Sequence, residues 1–383
     1  MQDQNKKSIL LFTDWYAPGF KGGGPIRSAV NFAREMSSDY DIYVFTADRD
    51  LGDTVPYADI EADKWVRKET IPIFYASPRW LGWRNIKNLI RSIAPDFIYL
   101  NSMYSRYFTV YPLLLYSLRK VSSQIVLAPR GMLQDGAMQY KTGKKKLFLG
   151  MLKNMHVLKN ISGHATDEQE KKDISVNLPD ISNIKVIPNF SSSPQAYKMV
   201  LKKPGEIDLV FISRISSKKN LTFLLAALNR ITGSIIVNLT IRGSIEDSIY
   251  WDECKALINK LPGNVQVHFA GPVPNEEVCP LIQQHHLFVL PTFGENFGHA
   301  IFEALAAGRP VLISDQTPWR HLEQQHAGWD LPLGDPRAFI NTIESVAQMD
   351  SAAFEQWSRG AWEYANAHSE NAELREEYKK LFS

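Results

Sequence analysis

Between Pro291 and Asp315 the chain reads PTFGENFGHAIFEALAAGRPVLISD, a segment that only a few local structures can accommodate. Leu287–Leu290 before it and Pro310–Ser314 near its end are short apolar runs of strand length. Between them lie a Gly-containing turn and the small-residue run Ala300–Ala307, which reads as a helix. The unit is therefore strand, loop, helix, strand, and in such a unit ligands gather where the strand's carboxyl end meets the amino end of the helix. Gly298 allows close backbone approach there, and the N–H groups of a first helical turn suit an anion such as a diphosphate. Helical side chains lean toward the amino end, so Glu303 can reach back toward a hydroxylated ligand. Glu295 stands in the loop itself and is placed to meet another part of the same ligand.

The same alternation runs through the chain. Ser8–Thr13, Ile42–Thr46, Ile71–Tyr75, Phe97–Leu100 and Gln124–Leu127 read as buried strands, with helices at Ile26–Ser37, Asn85–Ile93 and Thr109–Leu118. Ser191–Gly205, rich in Ser, Pro and Lys, reads as a linker. Beyond it come strands Ile207–Ile212, Ile235–Ile241, Val265–Phe269, Leu287–Leu290 and Pro310–Ser314. Their helices are Leu221–Leu228, Ile249–Leu261, Glu276–His286 and Ala300–Ala307. Strands alternating with helices imply parallel sheets covered on both faces, and 383 residues suffice for two domains with separate cores. The tail from Ala352 to Phe382 is helix-rich and strand-free.

Two glutamates separated by seven residues, the first followed by Phe297-Gly298 and the second by Ala-Leu-Ala-x-Gly-x-Pro-Val, resemble the signature of retaining glycosyltransferases of the GT4 type. The resemblance implies an α/β chain of GT-B architecture, two doubly wound Rossmann-like domains facing each other across a cleft. It puts the acceptor-side domain at 1–195, joined by a C-terminal helix at about 366–383 that packs back on it. The nucleotide-sugar donor domain falls at 196–365. It also implies transfer of a sugar from a nucleotide-diphosphate sugar to a hydroxyl of a glycan or lipid-linked acceptor, in surface polysaccharide biosynthesis. Glu295 then contacts the transferred sugar and Glu303 holds the ribose. Other GT-B proteins, namely nucleotide-sugar epimerases and sugar phosphorylases, or a non-catalytic sugar-nucleotide-binding subunit, are the competing readings. The acid/base pattern of the first and the cofactor lysine of the second do not stand out.

Phe211–Leu221, FISRISSKKNL, places three cations after a strand end. A leaving nucleoside diphosphate gains negative charge as the sugar bond breaks, and a guanidinium plus an ammonium can stabilise it. Arg214 and Lys219 match the GT4 element of arginine, four residues, lysine, so spacing favours Lys219 over Lys218; a solvated basic loop is the bland alternative. With Glu295 these two form the catalytic set. Lys21-Gly22-Gly23-Gly24-Pro25 resembles the glycine-rich loop that closes over the donor, with Gly23 and Gly24 as backbone contacts, or is a plain flexible turn. Neither a dinucleotide fingerprint nor a P-loop is present. At the turn Gly271-Pro272-Val273 the resemblance implies a base contact at Val273, unless it is simply a Gly-Pro turn. Asn296, Phe297, Gly298 and His299 complete the donor side.

Arg130, in Ala128–Leu133, resembles the Pro-Arg-Gly-Met segment of one GT4 branch; it reads as a contact to substrate phosphate or sugar, or as a structural salt bridge. Asp14, Asn101 and Tyr104 at other strand ends are the remaining acceptor-side candidates. His285 and His286 read as surface and core, and with no cluster at ligand spacing no metal or other cofactor is expected. A net charge of +2 gives no field for nucleic acid. Cys254 and Cys279 make no disulfide framework, which suits a reducing cytoplasm. The run Ile9–Phe12 is too short for a signal sequence or a span. Residues 140–160 carry six lysines and no acid among apolar residues; they can lie on anionic lipid at the inner membrane face or pack into the first domain.

Overall fold

The computed structural model describes residues 6–133, 148–150, 152, 158–192, 194–369 and 372–383. The chain divides into two compact units, Met1–Phe190 with Asn371–Ser383, and Ser191–Glu370. Most of the basic segment 140–160 lies outside the described residues. Of the part that is described, Leu152 and Leu158 are buried in the first unit and Phe148 packs edge-on to Tyr104.

Unit 1 is built on strands β1 (Ser8–Phe12), β2 (Asp41–Ala47), β3 (Trp65–Lys68), β4 (Ile71–Ala76), β5 (Phe97–Leu100), β6 (Gln124–Leu127), β7 (Ser162–Ala165) and β8 (Asn183–Val186). Their order is β3-β4-β2-β1-β5-β6-β7-β8, parallel except for the antiparallel β3–β4 edge pair. The period of two along β1 explains the core. Leu10 and Phe12 face one apolar cluster with Phe45, Ile98 and Leu100, while Ile9 and Leu11 face another with Val44, Phe97 and Tyr99. Helices α1 (Gly24–Met36), α2 (Trp83–Ile93), α3 (Tyr111–Ser117) and α4 (Glu168–Asn177) connect the strands. A π-helical turn at Arg106–Val110 precedes α3, so the helix expected from Thr109 begins irregularly.

Unit 2 repeats the plan with β9 (Glu206–Ile212), β10 (Ile236–Arg242), β11 (Val265–Phe269), β12 (Leu287–Leu290), β13 (Val311–Ser314) and β14 (Gly328–Leu331). All its pairings are parallel, in the order β11-β10-β9-β12-β13-β14. Its helices are α5 (Leu221–Leu228), α6 (Ser248–Ile258), α7 (Asn275–Gln283), α8 (His299–Ala306), α9 (Pro336–Gln348) and α10 (Ser351–Ala367). The segment expected as a linker packs on this unit. Lys202 is buried, its ammonium donating to the carbonyls of Lys203 and Ala347, and Tyr197 donates to Glu355. The last helix, α11 (Ala372–Leu381), belongs to unit 1, where Tyr378, Leu381 and Phe382 join the cluster around Tyr99. Phe382 meets the rings of Phe97 and Tyr99 at 5.5 and 5.4 Å.

Candidate functional site

Counting strands of unit 2 in chain order, the sheet runs 3-2-1-4-5-6, and the order reverses between β9 and β12. Chains leaving those two strands must turn away from each other, which opens a crevice beyond their carboxyl ends. The loop after β9 carries Arg214 and Lys219, and the loop after β12 carries Glu295, Asn296, Phe297 and Gly298. The two loops are tied together. The Lys218 carbonyl accepts from the Phe293 amide at 2.8 Å and from the Thr292 hydroxyl at 3.1 Å. Thr292 is held in turn by the Ser314 hydroxyl at the end of β13.

This stitching brings the Lys219 ammonium onto the Glu295 carboxylate. Their side chains are only 12% and 14% exposed, so solvent screens the pair weakly. Arg214 behaves differently. It donates to Glu246 at 2.9 Å with both side chains more than a third exposed, a setting in which an ion pair contributes little to stability. Arg214 is thus available to a stronger anion at small cost. Glu246, from the loop after β10, was missed at the level of sequence because only the sheet order makes that loop a neighbour of Arg214.

Gly298 caps α8 in the left-handed region, at φ +78°, and a Cβ there would stand 2.9 Å from Ile301 Cδ1. The Trp319 indole donates to the Phe297 carbonyl at 2.5 Å, and the Phe297 ring packs on His299. Both contacts fix the approach to the helix. Glu303 lies within α8, half-buried; after burial, its charge is the next cause holding the Cys279 thiol of α7 above its ordinary value. Val273 is buried behind a turn where the Gly271 carbonyl accepts from Gly243 N–H at 2.9 Å.

Gly243 itself permits only glycine. Its φ is +149°, and an added Cβ would fall 1.7 Å from the Ser213 carbonyl oxygen. Gly243→Ala is expected to destabilise unit 2 by at least about 3 kcal/mol, through steric overlap against backbone that cannot turn aside. A thermal melt within a degree of the parent protein would contradict it.

In unit 1 the glycine-rich loop leads from β1 to α1, with Gly23 at φ +67° as the cap and Gly24 and Pro25 opening the helix. The Asp50 carboxylate accepts from Phe20 and Lys21 amides at 2.6 and 3.0 Å and anchors the loop. Asp14, at the carboxyl end of β1, is pushed above the usual carboxylate value by burial, against hydrogen bonds from Ser105 and Ser102. Tyr104 is pushed up to about 12 by burial. Arg130 is bound into the protein. Its nitrogens donate to Asn101 Oδ1 and Asn189 Oδ1, both at 2.5 Å, and to the Tyr99 hydroxyl at 2.6 Å. The partners are neutral oxygens rather than the carboxylate of a salt bridge.

Both histidines of the pair expected to be split between surface and core are buried. His285 contacts Thr240 at 2.9 Å, and His286 meets the Asp208 amide through Nδ1 at 2.9 Å. Among the described residues no group of three or more His, Cys, Asp or Glu is placed to hold a metal ion, and no helix is long and apolar enough to cross a membrane.

Fold and site define a two-domain α/β protein of GT-B architecture with an anion-ready crevice in its second unit. Residues 206–349 match the family model described as glycosyl transferases group 1. An uncharacterized glycosyltransferase of Methanocaldococcus jannaschii is 29% identical over 106 residues, which is 28% of this chain and 26% of that protein. The match therefore spans about a quarter of that relative's length. Among solved structures, sucrose-phosphate synthase from Thermosynechococcus elongatus superposes with a TM-score of 0.70 at 16% identity, over 98% of each chain. Anabaena HepE, solved with UDP-glucose, gives 0.67 at 15% identity, over 97% of this chain and 98% of its own. The second unit is thus related to the group 1 glycosyl transferases, and the whole chain shares the fold of these two proteins.

Proposed function

We propose that this protein is a retaining, GT4-type glycosyltransferase that moves a sugar from a nucleotide-diphosphate sugar to a hydroxyl of a glycan or lipid-linked acceptor, without a metal. The observation that carries the reading is the Lys219–Glu295 pair at the strand-order reversal of unit 2, with Arg214 on the same loop as Lys219. A uridine nucleotide is the favoured donor, since the similar HepE is solved with UDP-glucose.

In the reaction the bond from the sugar's anomeric carbon to the diphosphate oxygen breaks and a bond to the acceptor oxygen forms on the same face. The departing phosphate oxygen takes the acceptor proton. Lys219 and Arg214 stabilise the charge that grows on the diphosphate. Lys219 is already partly desolvated, so its field on that charge is strong. Glu295, positioned by Lys219, meets the sugar as its ring gains positive character. Glu303 binds the ribose hydroxyls, and Gly298 with His299 receives the phosphates at the start of α8. Acceptor recognition falls to unit 1, at Asp14, Asn101, Tyr104 and Arg130, with Gly23 and Gly24 in the loop that meets the donor. The low cysteine content and the reading of the donor are in keeping with a cytoplasmic enzyme.

The test separates binding from turnover. Glu303→Ala is expected to weaken UDP binding by about 1–3 kcal/mol in titration calorimetry, because charge-assisted hydrogen bonds to the ribose are lost. Equal affinity in parent and variant removes the ribose role. If the parent protein binds neither UDP nor GDP, the donor assignment itself falls.

A further inference from the structure

At the opposite end of the unit 1 sheet from Asp14, Asn101 and Arg130 lies an open basin of about 730 Å³. Its walls are the carboxyl ends of α2 and α3 and the segments that lead into β6 and β7. Arg91, Arg119, Lys120 and Lys159 line it, and among the described residues no lining residue is acidic. One strand, four residues in β5 or β6, separates it from the carboxyl edge, or roughly 13 Å at the usual rise. It is a different place from the candidate site.

Basic residues at helix carboxyl ends often serve only to balance the helix dipole. Two observations argue for more here. First, four of the terminal carbonyls already have backbone donors: Ala94 N–H bonds Ile90, Leu118 N–H bonds Leu114, Arg119 N–H bonds Tyr116 and Lys120 N–H bonds Leu115, at 2.8 to 2.9 Å. Second, each helix end brings roughly half a negative charge, about one in all, against four cations. Among the described residues the side chains of Arg119, Lys120 and Lys159 make no ion pair or hydrogen bond. Arg91 spends only its Nε, on the Lys120 carbonyl at 3.3 Å. The Tyr116 hydroxyl donates to the Asn160 carbonyl at 3.2 Å and ties the end of α3 to the segment before β7. The Ser122 side chain adds a neutral donor at the rim. Uncompensated like charge around a preformed concavity is favourable only toward an anion with several charged oxygens.

We infer that this basin is a second ligand site, specific for a phosphorylated group such as a diphosphate or phosphomonoester, either on a soluble metabolite or on a lipid headgroup. Pyrophosphate is the probe. In calorimetry at low ionic strength the full-length protein should bind it in the basin, and Arg119→Glu/Lys120→Glu should lower that affinity by at least about tenfold. Arg67→Glu/Lys68→Glu, on the exposed edge strand β3, makes the same change in net charge and should leave binding intact. Lys219→Ala, which weakens pyrophosphate binding at the proposed donor site, should leave intact the binding component that the 119/120 variant loses, and this separates the two sites. Co-sedimentation with phosphatidylglycerol vesicles, against phosphatidylcholine, identifies the source. Vesicle binding lost in the 119/120 variant assigns a headgroup, and pyrophosphate binding without vesicle binding assigns a soluble ligand. If neither probe distinguishes the 119/120 variant from the 67/68 variant, there is no site.

Discussion

Lys219→Ala is expected to lower turnover by about two to three powers of ten, or roughly 3–4 kcal/mol of transition-state stabilisation, as for loss of one preorganised charge donor in a desolvated site. Two effects combine. The variant loses the cation proposed to meet the leaving diphosphate, and it strands the Glu295 carboxylate, which is 14% exposed and has Lys219 as its ionic partner. Arg214→Ala should also reduce turnover, but without the second effect, because Glu246 is 46% exposed and water can replace the guanidinium. The two variants should therefore separate in thermal melting as well as in rate, with Lys219→Ala the less stable. Glu295→Gln is the third arm. It keeps the shape and removes the charge, so it should cost turnover while UDP affinity barely changes. Steady-state rates of nucleoside-diphosphate release, with the nucleotide sugar that the parent protein turns over, measure all three. Activity of Lys219→Ala within a few-fold of the parent would falsify the leaving-group role, and a Glu295→Gln variant that loses UDP affinity as strongly as Glu303→Ala would undo the division of labour between the glutamates.

The parts of the fold that were legible in sequence are those buried on both faces. β1, β5, β9, β12 and β13 are largely apolar runs because helices cover both sides of a parallel sheet, and a strand with one face in water would alternate with polar residues instead. β7 was not legible. Its sequence is Ser-Gly-His-Ala, and its burial rests on a hydrogen-bonded histidine and on a glycine where a Cβ would meet Ile184 at 3.1 Å. β8 and β3 are an outer strand and an edge with half-exposed or exposed residues, which blurs the alternation. At the site, spacing pointed to Lys219 rather than Lys218, and the structure shows Lys219 on Glu295 while Lys218 contributes its carbonyl to the loop–loop contact. Glu246 and Gly243 were beyond the reach of spacing. Their proximity to Arg214 and Ser213 arises from β10 pairing with β9, a long-range contact no local pattern encodes.

Acid should unfold unit 1 earlier than its carboxylates alone would dictate, because of the histidine that hides in β7. His164 is fully buried and its two ring nitrogens have fixed tasks. Arg130 donates to the Tyr99 hydroxyl at 2.6 Å, which leaves that hydroxyl to donate to His164 Nδ1 at 2.6 Å. Nε2 then carries the proton and donates to the Ile187 carbonyl at 2.8 Å. Protonating Nδ1 would set two donors against each other and place a second cation near Arg130. Burial first, and the Arg130 charge second, lower the His164 value from 6.5 to about 3. The sign follows from linkage. Above pH 6.5 the ring is neutral in folded and unfolded chains alike, and the network's stability is fully present. Between 6.5 and about 3 the unfolded chain binds a proton that the folded chain refuses, so stability falls by about 1.4 kcal/mol per pH unit, or ~2 kcal/mol by pH 5. Denaturant melts of the parent protein between about pH 7 and 5, a range above most carboxylate titration, should show that loss in the transition of unit 1. His164→Gln, which can still accept from Tyr99 and donate to Ile187, should be less stable at neutral pH yet lack the slope. A parent whose unit 1 transition stays level across this range, or a glutamine variant with the same slope, would show that the ring is not held neutral by the Arg130–Tyr99 chain.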